Sequence, residues 1–189
     1  ATHLTYPLIT RTALRGLVGS ILGMEEFVGK AWTGVELLHP VQTVSQEMSY
    51  LGKRFLGGSG DTFNRPTAIE LVVNPHYRIY YAGDYVHELT EQIKEQRSHY
   101  HTYLGSAFAL TFPRFVRMEQ MSEVQPDGKK QWHCRTVVPT HAIARLHAPP
   151  GVQYGRVGSI HYEHIGQRRF RGAVNAIYEV NGKPVTFVP

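Results

Sequence analysis

Apolar residues at Leu14, Leu17, Val18, Ile21 and Leu22 recur at the three- and four-residue spacing of one helical face, which predicts a helix from Thr10 to Gly23. Thr10 has the side-chain oxygen of an N-cap, and Gly23 is a natural stop. Gly16 and Gly19 each weaken such a helix by roughly 1 kcal/mol against alanine, a loss that close packing against another backbone would offset. Before it, His3 to Ile9 reads as extended chain. A second amphipathic helix is expected from a cap at Asp84 to about Arg97, with Val86, Leu89 and Ile93 on one face.

Elsewhere the pattern shortens to strands. Val35 to Val44 reads as a strand edged by Pro40. Tyr50 to Asn64, with its run Gly57-Gly58-Ser59-Gly60-Asp61, reads as a long protruding hairpin or loop. Thr67–Val73 and Tyr77–Tyr81 are expected to pair as a hairpin about Asn74-Pro75. Ser106 to Met121 is strand-like and broken at Pro113, Asp127-Gly128 marks a turn, and Trp132 to Val138 returns as a strand. Past Pro149-Pro150-Gly151, short strands are expected at Gly158–His164, Phe170–Val180 and Lys183–Val188, the last pair joined at Asn181-Gly182. This order makes the fold class α+β. It fits a β-α-β-β-α-β, ferredoxin-like unit if a strand precedes Thr5, and sheets of that kind are frequent RNA platforms.

Composition narrows the function classes. A chain of 189 residues, 42% apolar, can bury a core without metal or disulfides. The single cysteine, Cys134, excludes an internal disulfide framework and a Cys-based zinc cluster, and fits a reducing, cytoplasmic setting. No apolar run reaches the roughly 18–20 residues of a membrane span, and the start does not have the pattern of a signal peptide, so no membrane partner is expected. Twenty Lys and Arg against fifteen Asp and Glu give a net charge of +5, and eleven Tyr, eight Phe and two Trp accompany it. Such a chain can neutralise phosphates and stack bases, although a charge of this size is also ordinary for a solvated surface.

Three basic groups are candidate phosphate contacts. Thr10, Arg11, Thr12 and Arg15 open the first helix, where free amides and the positive helix end favour an anion; the two arginines serve equally well as solvated helix positions. Lys53, Arg54 and Phe55 set two cations beside one aromatic ring, suited to following a backbone and stacking a base, or to a solvated turn with one anchor. Arg168, Arg169 and Arg171 surround Phe170 in the densest basic cluster. His99 with His101, and His161 with His164, have spacings a metal could use, but no third ligand stands at an informative distance, so neither metal nor cofactor is expected. Tyr50, Lys53, His99 and Tyr103 could supply general acid–base chemistry for RNA cleavage only if the fold made them converge.

The string Thr5-Tyr6-Pro7, then Arg11-Thr12-Ala13-Leu14 and Gly16-Leu17-Val18-Gly19-Ser20-Ile21-Leu22-Gly23, resembles the opening of the CRISPR-associated Cas5 family. Arg65 to Tyr80 and Tyr103-Leu104-Gly105 resemble two further stretches of that family, and residues 51–64 occupy the place of its thumb. The likeness covers about residues 1–120. It implies a ferredoxin-like (RRM-like) RAMP domain over 1–122 with a thumb at about 51–64, and a β-rich C-terminal part over 123–189. Family members carry a strand ahead of the Thr-Tyr-Pro motif, so a first strand is expected to be missing from the chain as it begins here. The resemblance further implies a subunit that caps the 5′ handle of a crRNA in a type I effector complex (Cascade), beside Cas7-like and Cas8-like subunits and reaching target DNA through the complex, in defence or RNA-guided transposition. The overall look is closest to type I-B. By that likeness Thr10, Arg11, Thr12, Arg15, Arg65 and Tyr103 contact RNA, with Lys53, Arg54 and Phe55 in the thumb. One branch of the family is a metal-independent endoribonuclease that uses adjacent Lys-His; no Lys-His dipeptide occurs here, so cleavage of precursor crRNA is the alternative and not the expectation.

Overall fold

The structure, a computed structural model, describes residues 3–53, 62–125, 130–157, 160–163, 170–174 and 176–187. Arg54, Phe55, the Gly57–Asp61 run, the Asp127-Gly128 turn, His164, Arg168 and Arg169 lie outside the described residues, as do the side chains of Lys53 and His161.

The first helix, α1 (Arg11–Leu22), forms as its spacing requires. Thr10 is extended, and its hydroxyl oxygen accepts from the Ala13 amide at 3.3 Å, satisfying one of the donors a helix start leaves unpaired. Gly23 adopts the left-handed φ of 77°, and the Met24 amide reaches back to the Gly19 carbonyl at 2.9 Å.

Four strands follow: β1 (Ala31–Leu37), β2 (Thr43–Lys53), β3 (Thr62–Val72) and β4 (Tyr77–Gly83). The expected hairpin between the last two does not form. β3 pairs antiparallel with β2, from Thr43 opposite Val72 to Lys53 opposite Thr62, while β4 pairs with β1, Ala31 opposite Gly83 and Leu37 opposite Tyr77. Asn74 does take the positive φ of a turn, 48°, yet the turn carries the chain from one pair to the next. The strand expected over Val35–Val44 starts earlier and ends before Pro40, because β1 is buried on both faces from Thr33 onward and shows no alternation there.

By contacts the chain forms two compact units, residues 1–8 with 41–75, and residues 9–40 with 76–189. In the first unit, the β2–β3 hairpin takes up the extended N-terminal chain. The His3 amide donates to Ala68 O at 2.8 Å and the Glu70 amide to His3 O at 2.9 Å, beside a parallel bridge from His3 to Ile69.

The second unit holds both helices. α2 (Val86–Lys94) starts one residue later than expected: Tyr85, at a left-handed φ of 63°, is its N-cap, and the Asp84 carboxylate instead accepts from the Lys30 amide at 2.8 Å. Val18, Ile21 and Leu89 are buried between the helices and Tyr81, each contributing about 1.5–3 kcal/mol. Residues 106–120 form no strand, since their extended chain pairs only at the Tyr103–Leu110 bridge.

The remaining strands are short: β5 (Met121–Val124), β6 (Trp132–Cys134), β7 (Val138–Pro139), β8 (Ile143–Leu146), β9 (Tyr154–Val157), β10 (Ile160–Glu163), β11 (Phe170–Val174), β12 (Ile177–Val180) and β13 (Lys183–Val185). They make three antiparallel sheets in the orders β7-β10-β9, β6-β11-β8 and β13-β12-β5. The single strands expected over Trp132–Val138 and Phe170–Val180 are each two, because successive segments join different sheets. The Asn181-Gly182 turn forms as expected, with both residues at positive φ (49° and 69°). Phe170, Val174, Ile177, Val138, Ala142 and Cys134 form one buried core.

A polar contact and a close backbone approach fasten β1 to this part. Glu36, 5% exposed, accepts from Tyr80 Oη at 2.9 Å, Arg78 at 3.3 Å and Arg135 at 3.4 Å. Next to it, a Cβ at Gly34 would stand 2.9 Å from the Thr186 carbonyl, so only glycine permits that approach. The fold is thus mixed α+β with antiparallel sheets, and no helix among the described residues is long and apolar enough to cross a membrane.

Candidate nucleic-acid interface

The last carbonyls of α1 have no partner within the helix. Ser20 O accepts from the Tyr100 amide at 2.9 Å and Ile21 O from the His99 amide at 3.1 Å, so the segment after α2 is fixed along one side of α1. Thr102 fixes it further: the Thr111 amide donates to Thr102 O at 3.0 Å, and the Thr102 hydroxyl donates to Thr111 O at 2.5 Å. On the other side, the chain leaving α1 turns back along it, and Arg15 donates to Phe27 O at 3.2 Å and Gly29 O at 3.4 Å while its guanidinium lies 4.8 Å from the Phe27 ring centre.

Between these walls lies an open groove of about 960 Å3 along α1. Arg11 and Thr12 line its start, Tyr100, His101 and Tyr103 one wall, and Arg15, Phe27 and, toward the far end of α1, Glu25 and Glu26 the other. Tyr100 and Tyr103 keep 46% and 47% of their surface exposed, enough for a flat ring to lie on them. Gly16 forms part of the floor, and a Cβ there would meet nothing within 4 Å. The backbone packing expected to compensate for this glycine is therefore absent; Gly19 does have such a neighbour, Met24 O, at 3.3 Å from a Cβ.

The structure separates the candidate residues. Arg11 and Thr12 are exposed on the groove, and Arg11 makes no hydrogen bond or ion pair among the described residues. Thr10 is occupied as the cap its sequence position predicts, and Arg15 is engaged with two carbonyls and a ring. Tyr103 belongs to the groove, but His99 does not line it: its ring covers Gly23 and stacks edge-on against Tyr100 at 4.6 Å. Arg65 is exposed on β3 in the other unit, opposite Tyr50. Arg171 is half-buried on β11, its amide donating to Tyr154 Oη at 3.1 Å. Among the described residues no three His, Cys, Asp or Glu side chains gather as a metal would need.

Sequence reading missed Glu25, Glu26, Phe27 and Tyr100, and singled out His101 only as a metal ligand. The run His99-Tyr100-His101-Thr102-Tyr103 was the available signal, but nothing in its spacing says which face of α1 it lies along. Against the cluster of Val18, Ile21 and Leu89, burial raises the Tyr81 phenol above its ordinary pKa, with Asp84 adding to the effect and Arg15 opposing it. Compared with models of known protein families and with curated protein sequences, the chain matches none.

Proposed function

We propose that the chain is a non-catalytic, RNA-capping subunit of a type I CRISPR effector complex, gripping the 5′ handle of the crRNA in the α1 groove. The observation that carries this reading is Arg11: an exposed guanidinium with no partner among the described residues, in a groove walled by two half-exposed tyrosines. A phosphate on the first and bases on the second is how single-stranded RNA is held. The order α1, β1, inserted hairpin, β4, α2, with β1 beside β4, supports a ferredoxin-like core, and the hairpin stands where the family resemblance puts a thumb. Cas7-like and Cas8-like neighbours, target DNA reached through the complex, and a cytoplasmic location belong to the same reading.

The test is a titration of single-stranded RNA across salt. Arg11→Ala is expected to weaken binding and to flatten the salt slope by about one phosphate contact; an unchanged slope removes Arg11 from the interface. His101 and Tyr103 in one groove favour the ribonuclease as a second reading, because they are the groups that acid–base cleavage uses. Incubation with precursor crRNA in EDTA separates the two, since site-specific cuts would establish the enzyme.

A further inference from the structure

The groove is cationic at one end and acidic at the other. Arg11 stands at the first turn of α1, and the chain carrying Glu25 and Glu26 returns beside Gly19, about 12 Å further along the axis at 1.5 Å per residue. Both carboxylates are exposed and make no hydrogen bond or ion pair among the described residues. Resting on the reading of the groove as an RNA site, we infer that it is selective for guanine, with the base stacked on the tyrosine wall and its edge on the Glu25–Glu26 side.

The chemistry of the acidic end argues for this choice. An ionised carboxylate only accepts hydrogen bonds. Guanine is the base that turns two adjacent donors, N1–H and the N2 amino group, to one carboxylate. Cytosine and adenine offer an amino group next to an acceptor nitrogen, and uracil sets its one N–H between two carbonyls that a carboxylate repels. The bare floor at Gly16 leaves room for the sugar against the helix backbone, as an alanine methyl there would not. A groove used only for phosphates would gain nothing from two carboxylates, which lower its affinity for a polyanion.

The experiment uses the whole chain and labelled RNA hexamers, one all uridine and six carrying a single guanosine at successive positions, followed by fluorescence anisotropy at fixed salt. At one position or more, guanosine is expected to raise affinity about tenfold over uridine. The E25Q/E26Q variant is expected to bind the all-uridine hexamer at least as tightly as the parent, having lost two negative charges, yet to lose the guanosine advantage. Equal affinity for all seven RNAs, or an advantage that persists in the variant, overturns the guanine assignment while leaving Arg11-dependent RNA binding intact. Failure of every hexamer to bind at low salt overturns the RNA reading and this inference with it.

Discussion

Thr136 and Thr186 close a polar contact deep in the C-terminal part. The Thr186 amide donates to Thr136 Oγ1 at 2.8 Å, the Thr136 hydroxyl to Thr186 O at 3.2 Å, and the Thr186 hydroxyl to Val137 O at 2.8 Å. Both residues are nearly inaccessible, so water cannot replace a lost partner. Thr136→Val keeps the shape and strands the Thr186 amide; it is expected to lower stability by about 1–3 kcal/mol, read as an earlier urea midpoint at unchanged slope. Cys134, fully buried in the same region, has its thiol pushed up to about 12 by burial. Native protein at pH 8 is expected to leave Ellman's reagent unreacted, and denatured protein to release one thiol per chain; fast native reaction would contradict the burial. At this scale the sequence was informative about residue types and silent about their engagements. Arg11 and Arg15 look alike in the sequence, one turn apart, yet one is open to the groove and the other is held by the carbonyls of Phe27 and Gly29.

In α1, the proposed RNA reading makes Gly16 a position where folding and binding can be separated. Gly16→Ala has room for its methyl and is expected to raise stability by about 0.5–1 kcal/mol while weakening RNA, so a higher melting temperature with lower affinity is the signature. Unaltered affinity would remove the helix backbone from the contact. In β4, burial pushes Tyr77 and Tyr80 up to about 12, and for Tyr80 the Glu36 carboxylate adds to the effect. A phenol with a raised pKa keeps its proton in the folded state after the unfolded chain has lost it near pH 10. Stability is therefore complete below about pH 10 and falls as pH rises toward about 12. Tyr80→Phe is expected to make that alkaline decline shallower in melting temperature against pH. Elements with a local signature were legible: α1 from its spacing and its two caps, and the β12–β13 hairpin from Asn181-Gly182. β2 was not, because Thr43 to Glu47 is exposed and mostly polar, with no buried face to impose alternation. Partner choice among strands was also beyond reach, since β1 and β4 pair across a long insertion that leaves no local trace.

For the whole molecule, the two-unit division predicts what can be removed. The Leu38 amide donates to His76 O at 2.9 Å, so the chain departs into the hairpin and returns from it at neighbouring positions. Replacing residues 39–75 with Asn-Gly would close β1 and β4 by a two-residue turn. The shortened protein is expected to keep Cys134 protected, because the core around Cys134, the one between the helices, and the groove belong to residues 9–40 and 76–189. Rapid thiol labelling would show that the hairpin is required for folding. The two-strand pairing of β1 and β4 became visible only in the fold. Glu36 also sets how the molecule fails on heating. Its side chain is shared by a β4 guanidinium, a β4 phenol and Arg135, so β1 and β4 cannot loosen from the C-terminal sheets without taking one of its two guanidinium partners from a buried carboxylate. A calorimeter should therefore record one endotherm for both parts, and Glu36 is the position where a substitution would split it into two.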